Sequence, residues 1–129
     1  MLNLATKIYL IMRKIANAYS EEEAEWLQNI ETLTKEQIPQ YEFNVERLAT
    51  LLPMSRRNLE RKLKILTGLT PAQYIQEIRY NEARYLLETQ QVKSIKNLIF
   101  QVGIKDASSF RRNFKKRFGR VPSSYIVSN

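Results

Sequence analysis

Two related segments lie 51 residues apart in this chain, and their repetition constrains its fold more than any other feature. In each copy a helix-capping residue precedes a mixture of apolar and basic positions, and Gly, Pro and Tyr follow in the same order. The first copy consists of Ser55, Leu59, Arg61, Leu63, Lys64, Gly68, Pro71, Tyr74 and Ile75. The counterparts in the second copy are Asp106, Phe110, Arg112, Phe114, Lys115, Gly119, Pro122, Tyr125 and Ile126. A period of this length indicates a duplicated supersecondary unit, and two copies are too few for a solenoid.

The basic residues are concentrated in the repeated part of the chain. Residues 1–40 contain four Lys and Arg against six Asp and Glu, whereas residues 41–129 contain seventeen against seven. The net charge of +8 therefore arises entirely from the second region, and this distribution favours a polyanionic partner. A basic surface also aids solubility, so the charge alone leaves both interpretations open.

The composition argues against several classes of site. Cys and His are both absent, which removes disulfides, thiolates, the commonest general base and the usual zinc ligands. The three Gly residues are far apart, so no glycine-rich phosphate loop exists. No stretch approaches the ~20 apolar residues of a membrane span. These features predict a cytoplasmic protein that is not an enzyme, uses no cofactor or metal, and makes no membrane contact.

Apolar periodicity and capping residues predict an all-α fold. An amphipathic helix is predicted over residues 3–18 by its apolar stripe, which consists of Leu4, Ile8, Ile11, Met12 and Ile15. The capping box of Ser20 and Glu23 begins the next helix, which ends before Pro39. Trp26 lies at helical spacing in that segment, and this spacing is more typical of a core residue than of a ligand contact.

Each copy of the repeat predicts a short helix, a turn and a basic helix. In the first copy Asn44 caps the short helix and Ser55 caps the basic one. A long helix is predicted over about residues 71–88, with a proline at its first position. The second copy repeats this order, with a cap at Asp106 and a short final helix that begins at Pro122.

Both basic helices have one apolar face and one cationic face. The apolar stripes consist of Leu59, Leu63 and Leu66, and of Phe110, Phe114 and Phe118. The opposite faces carry Arg57, Arg61 and Lys64, and Ser108, Arg112, Lys115 and Lys116. Such a helix fits a DNA major groove about 12 Å wide, where Arg contacts guanine edges. One cationic face is typical of any solvated helix, but two copies favour double-stranded DNA as the ligand.

The long middle helix predicts the distance between the two units. Its 18 or so residues at ~1.5 Å each span ~27 Å, which is close to the ~34 Å between successive major grooves on one face of DNA. One chain would then contact two adjacent DNA segments and would need no palindromic target.

Over roughly residues 25–129 the chain resembles the DNA-binding domain of the AraC/XylS family of bacterial transcription regulators. The stretch LTGLTPAQYIQEIRYNEARYLLE is similar to the family's linker helix through Thr67, Gly68, Pro71, Tyr74, Ile75, Arg79, Ala83, Leu86 and Leu87. The stretch VGIKDASSFRRNFKKRFGRVPSSY resembles the family signature through Gly103, Asp106, Phe110, Arg112, Phe114, Lys115, Lys116, Gly119, Pro122 and Tyr125.

The resemblance implies a seven-helix, all-α domain with two helix-turn-helix subdomains joined by a linker helix, each inserting one helix into the major groove. The family's base-contacting positions correspond here to Arg57, Glu60, Arg61, Ala107, Ser108, Arg111 and Arg112. The expected DNA-binding set also includes Arg56, Asn58, Lys64, Lys115 and Lys116.

Two of these positions leave alternatives open. Ala107 offers only apolar contact, for instance to a thymine methyl group, so the second subdomain could contribute mainly phosphate contacts. Glu60 could accept a hydrogen bond from a cytosine amino group, or it could pair with Arg56 or Lys64 along its own helix.

The N-terminal region resembles, more weakly, the last helix of a receiver domain and the linker that follows it. We therefore divide the chain into residues 1–20, which are either a receiver-linker remnant or an extra helix, and two subdomains over residues 21–88 and 89–129. The implied partners are double-stranded DNA, RNA polymerase at a promoter, upstream receiver or sensor domains of the same polypeptide, and a second copy bound through the N-terminal helix. Activation of transcription is the expected output.

Other functions compete with this interpretation. A non-specific DNA- or RNA-binding module would share the basic charge, but sequence-specific RNA recognition usually needs exposed aromatic side chains, and the Phe residues of the repeat lie on the predicted buried stripes. A membrane-surface protein would keep wide apolar faces exposed, whereas a domain of this size needs those faces for its core. A protein-interaction module that dimerises through residues 3–18 is compatible with DNA binding.

Overall fold

The computed structural model describes residues 19–127, and every regular element in that range is helical. The six α-helices are α1 (Glu21–Gln37), α2 (Val45–Leu51), α3 (Arg56–Thr67), α4 (Pro71–Glu88), α5 (Ile95–Gln101) and α6 (Ala107–Phe118). A short 3₁₀ helix, η1 (Pro122–Tyr125), follows them. The all-α class is confirmed, and the helix predicted over residues 3–18 lies outside the described range. No helix between residues 19 and 127 is long and apolar enough to cross a membrane.

Each α-helix begins at a polar side chain that accepts a hydrogen bond from a backbone N–H in its first turn. The caps are Ser20, Asn44, Ser55, Thr70, Ser94 and Asp106. The caps of α1 and α4 form complete capping boxes with Glu23 and Gln73. The cap of α5 at Ser94 was not among the sequence predictions.

Two hydrophobic cores form along α4, one for each copy of the repeat. The first core contains Ile30, Phe43, Val45, Leu48, Ala49, Leu59, Leu63, Tyr74 and Ile75. The second core contains Tyr80, Ala83, Leu86, Leu87, Val92, Leu98, Val102, Phe110, Phe114 and Phe118. The N-terminal half of α4 therefore packs against α1, α2 and α3, and its C-terminal half packs against α5 and α6.

Aromatic side chains order the second core. The ring of Tyr80 on α4 stacks on Phe110 of α6 with centroids 5.5 Å apart and an interplanar angle of 11°. The ring of Phe114 meets that of Tyr125 edge-on at 5.7 Å, which attaches η1 to α6. Such contacts stabilise beyond their buried area by about 0.5–1.5 kcal/mol each, so they fix how α6 lies on α4.

The turn between α5 and α6 has no room for a side chain at Gly103. This residue has a φ of +71°, in the left-handed region that favours glycine. A Cβ atom there would lie 1.9 Å from the carbonyl oxygen of Ile38 and 2.2 Å from Nη1 of Arg79. Gly68 has a similar φ of +78°, but a Cβ atom there would meet nothing within 4 Å.

These two glycines give a matched pair of substitutions. We expect Gly103→Ala to lower the free energy of unfolding by about 3 kcal/mol or more, because overpacking adds to left-handed backbone strain. Gly68→Ala carries the strain alone and should cost about 1–2 kcal/mol. Urea unfolding of both variants measures the difference, and equal losses would contradict the close approach at Gly103.

The cap of α6 has an electrostatic signature. Asp106 accepts a hydrogen bond from the backbone N–H of Ser108 at 3.0 Å, and the hydroxyl of Ser109 donates to its other oxygen at 2.6 Å. The hydrogen bond from the Ser109 side chain is the main cause that holds the pKa of Asp106 below its ordinary value of 3.8.

Removal of this carboxylate should destabilise the protein in a pH-dependent manner. We expect Asp106→Ala to lower the melting temperature by about 2–6 °C at neutral pH. Because the folded-state pKa is depressed, this contribution is complete above the unfolded-state pKa and is lost as the pH falls through the lower folded-state value. Calorimetry across a pH series should therefore show the gap to the wild type closing only below about pH 3.8. A gap that stays constant down to acid pH would argue against an ionised cap.

Candidate nucleic-acid interface

The first basic helix, α3, buries one face and exposes the other. Its apolar stripe is buried, with Leu59 and Leu63 fully enclosed in the first core and Leu66 packed with Leu27 of α1. The cap at Ser55 and the left-handed Gly68 define the two ends of the helix. The predicted contact residues on its other side are all exposed: Arg56, Arg57, Asn58, Glu60, Arg61 and Lys64.

The second basic helix, α6, repeats this arrangement. Its stripe consists of Phe110 and Phe114, which are fully buried, and Phe118. The predicted contact residues that are exposed are Ser108, Arg111, Arg112, Lys115 and Lys116. Ala107 is half-buried at the first position of the helix, so its methyl group presents only a small apolar surface.

Two acidic side chains engage the first arginine of α3. Arg56 forms an ion pair with Glu60 at 2.9 Å, one turn along the helix, and a second ion pair with Glu46 of α2. The hydrogen bond with Glu60, followed by the charge of Glu46, raises the pKa of Arg56 above its ordinary value. Of the two pairing partners predicted for Glu60, the structure shows Arg56, whereas the ammonium of Lys64 donates to the carbonyl of Gly68 at 3.1 Å.

A hydrogen-bond chain extends from the cap of α6 to one of its arginines. Asp106 accepts from the hydroxyl of Ser109, and the guanidinium of Arg112 donates to that hydroxyl at 3.3 Å. The cap that begins the helix therefore also restrains an exposed guanidinium on its contact face.

Other cations of the basic helices serve the fold. Arg117 pairs with Glu77 of α4 at 3.4 Å and lies over the ring of Tyr80 at 4.1 Å. The ammonium of Lys62 lies 4.4 Å from the ring centroid of Trp26. Trp26 is partly buried against the core, in agreement with the prediction that it is a packing residue.

Arg79 of α4 is the most buried cation between residues 19 and 127, and from the sequence it was predicted only as one of the positions that match the family's linker helix. It is 3% exposed, and its guanidinium contacts both the connection between α1 and α2 and the turn between α5 and α6. Its spacing of four residues from Ile75 and from Ala83 places it on the apolar stripe of α4, and this spacing was the signal that could have identified it.

The acidic residues do not form a metal site in the part of the chain that the structure covers. Between residues 19 and 127, no group of three carboxylates is placed to hold a metal ion. The geometry within this range is that of two capped helices with exposed cationic faces, attached to one long helix.

Comparison with known proteins gives relatives that share this arrangement. A family model described as a helix-turn-helix domain matches residues 48–127. Histidine kinase P4 of Formosa agariphila is 39% identical over 84 residues, which make up 65% of this chain and 6% of that protein. The HTH-type transcriptional activator RhaS of Escherichia coli is 33% identical over 81 residues, 63% of this chain and 29% of that protein. The chain thus spans less than a third of the curated relatives that it matches.

Solved structures agree with the fold. The DNA-binding domain of AdpA, a global transcriptional factor crystallised with a target DNA, has a TM-score of 0.67 at 30% identity, covering 77% of this chain and 87% of that one. The C-terminal domain of the two-component response regulator yesN from Fusobacterium nucleatum also has a TM-score of 0.67, at 25% identity, covering 78% of this chain and 97% of that one. Since the family model spans more than half of the chain and the fold agrees, this chain belongs to the helix-turn-helix family of AraC-type DNA-binding domains.

Proposed function

We propose that this chain binds double-stranded DNA in a sequence-specific manner through the exposed faces of α3 and α6, and thereby regulates transcription. The observation that carries the proposal is the duplication of a capped helix with a buried apolar stripe and an exposed cationic face. The complex of the AdpA domain with its target DNA supports the same choice of ligand.

In α3, arginines supply the base contacts. Arg57 and Arg61 are exposed, and a guanidinium can donate two hydrogen bonds to the edge of a guanine. Glu60 is turned towards Arg56, so a contact with a cytosine amino group would first require that ion pair to open. Asn58 and Lys64 are also exposed on this helix, and we assign them to contacts with the DNA backbone or with adjacent bases.

In α6, base reading and phosphate binding are divided along the helix. Ser108, Arg111 and Arg112 face the bases near the N-terminal end, and Ala107 offers a methyl contact to thymine. Lys115 and Lys116 lie in the last turns, where they bind phosphates and fix the register of the helix on the duplex.

The linker helix sets the separation of the two contacts. With 18 residues, α4 is ~27 Å long at ~1.5 Å per residue. This length suits two successive major-groove segments on one face of the duplex, which repeat after about one helical turn of ~34 Å. Each chain then contacts an asymmetric target with two parts.

The wider role that we propose is that of an output module in a larger signalling regulator. The relatives include a histidine kinase, a response regulator and a transcriptional activator. We therefore propose receiver or sensor domains upstream in the same polypeptide, with residues 1–20 as their connection to subdomains over residues 21–88 and 89–129. We also propose that the protein activates transcription through RNA polymerase at a promoter, and that two copies pair through the N-terminal segment. Chromosomal DNA as the ligand would place the module in the bacterial cytoplasm.

Selection from a randomised duplex pool, with sequencing of the bound fraction, tests the function directly. Two enriched segments about one helical turn apart are expected if both helices read bases. One enriched segment would mean that α6 acts mainly on phosphates. Salt-sensitive retention without any enrichment would contradict sequence-specific binding and leave a non-specific polyanion binder.

Truncation of Arg61 should affect one base pair of the selected target. We expect Arg61→Ala to weaken binding to that target by about 1–3 kcal/mol and to relax the preference at a single position. Lys35→Ala is the control, because it removes the same charge from α1, where Lys35 pairs with Glu31. Equal losses of Arg61→Ala on target and random DNA, measured by titration, would exclude a base-reading role for Arg61.

Truncation of Lys116 should affect all sequences alike. We expect Lys116→Ala to reduce the slope of log K against log salt by about one, because one phosphate contact is lost. Titrations of target and random duplexes over a salt series measure this slope. A loss confined to the selected target would instead assign Lys116 to base recognition.

A further inference from the structure

A single buried arginine in the middle of α4 connects the two helix-turn-helix units. Arg79 is 3% exposed. Its Nη1 donates to the carbonyl of Ile38, to that of Val102 at 2.7 Å and to that of Gly103 at 3.1 Å. Its Nη2 donates to the carbonyls of Gln40 and Phe43, each at 3.3 Å. Ile38, Gln40 and Phe43 belong to the connection between α1 and α2. Val102 and Gly103 belong to the turn between α5 and α6.

Because this guanidinium is charged and buried, the loops that solvate it must stay close to it. Burial lowers the pKa of Arg79 from its ordinary value, but an arginine remains protonated in proteins. A buried cation is costly unless dipoles or opposite charges surround it. All five acceptors are backbone carbonyls, so movement of either loop away from Arg79 would leave the charge under-solvated, and both loops are held against α4.

The two loops also contact each other around Arg79. The carbonyl oxygen of Ile38 lies where a Cβ atom of residue 103 would otherwise be, so only glycine allows this approach. The same two loops also meet at the surface, where the ammonium of Lys105 lies 3.9 Å from the ring centroid of Tyr41. We use the name Arg79 clamp for Arg79 together with the carbonyls of Ile38, Gln40, Phe43, Val102 and Gly103.

We propose that the Arg79 clamp sets the orientation of α6 relative to α3, and with it the spacing between the two DNA segments that the chain prefers. The clamp contacts the second unit at Gly103, only four residues before α6 begins at Ala107. A displacement of the backbone at Gly103 would therefore move α6 directly. In DNA, one base pair corresponds to about 3.4 Å of rise and about 35° of rotation. A small rotation of α6 about α4 would therefore match a target with a different spacing. This inference rests on the proposed function.

The test compares two Arg→Lys substitutions on the same helix in the full 129-residue chain. Arg79→Lys keeps the charge but replaces the planar, five-donor group by one compact ammonium, which cannot reach both loops. Arg84→Lys is the matched control, because Arg84 is also partly buried on α4 but pairs with Glu88 of the same helix and lies over Phe118 of α6, so these contacts involve neither loop of the Arg79 clamp. Binding is titrated on the selected duplex and on duplexes with one to four base pairs added to or removed from the spacer.

The expected result is a change in spacing preference and not merely in affinity. The wild type should prefer one spacing, because two linked contacts gain avidity only when both engage together. Arg79→Lys should bind the duplex with the best spacing about 10- to 100-fold more weakly than the wild type does. Its affinities for the duplexes with other spacings should differ from one another by less than about 3-fold. Arg84→Lys should keep the wild-type profile. An unchanged profile in folded Arg79→Lys, or equal flattening by Arg84→Lys, would overturn the inference.

A measurement without DNA separates this inference from the proposed function. The chain contains no Cys, so spin labels can be attached at Ile65→Cys on α3 and Ser123→Cys on η1, both exposed. Pulsed electron-spin resonance should give a narrow distance distribution for the wild-type background and a broad one for Arg79→Lys. A narrow distribution in both would overturn the clamp even if DNA is bound specifically. A broad one for Arg79→Lys alone, without sequence enrichment by the wild type, would support the orienting role and contradict the proposed function.

A surface variant covers the case in which Arg79→Lys does not fold. Tyr41 is 52% exposed, so Tyr41→Ala removes the contact with Lys105 at low risk to folding. Partial broadening of the label distance and partial flattening of the spacing profile would support the inference. A wild-type distance and a wild-type profile in Tyr41→Ala, with unfolded Arg79→Lys, would reduce the clamp to a role in stability and overturn the proposal.

Discussion

The packing of two hydrophobic cores against one helix is the constraint on which the rest of the structure depends. Tyr74 and Ile75 of α4 belong to the first core, and Tyr80, Ala83 and Leu87 belong to the second. The parts of the two units outside α4, residues 19–70 and 89–127, are each too small to form more than a marginal core alone, so each unit needs its half of α4. The same helix that completes both cores therefore carries both basic helices, and their geometric coupling follows from the way in which the chain becomes stable.

Features that depend on near neighbours in sequence were predicted well. The helix caps at Ser20, Asn44, Ser55 and Asp106 involve residues two or three positions apart, and such interactions are visible as local patterns. The Arg79 clamp joins residues separated by 23 to 41 positions. No local pattern specifies which carbonyls a buried guanidinium will meet, because the answer depends on how the two units fold onto α4.

The contact faces show the same division. Helical periodicity was sufficient to predict that Arg61 and Lys116 are exposed, because it fixes the side of the helix on which a residue lies. It could not predict that Arg117 pairs with Glu77, since this ion pair connects residues 40 positions apart. Nor could it show that Arg56 is held by Glu46 of a different helix. Periodicity predicts the side of the helix on which a residue lies, whereas the tertiary packing determines which cations at the border of that side form ion pairs within the protein.

This division of cations links stability to ligand binding. Arg56 and Arg117 are neutralised by Glu46, Glu60 and Glu77, and Arg79 is solvated by backbone dipoles. Among residues 19–127, by contrast, no ion pair involves Arg57, Arg61, Arg111, Lys115 and Lys116. Clustered charges of one sign repel each other and oppose the compact state, so a polyanion on these faces relieves a cost that the free protein carries. Since a ligand that binds only the folded state also stabilises it, the proposed DNA ligand would offset this repulsion at the exposed cations, whereas the paired or buried cations already hold the fold.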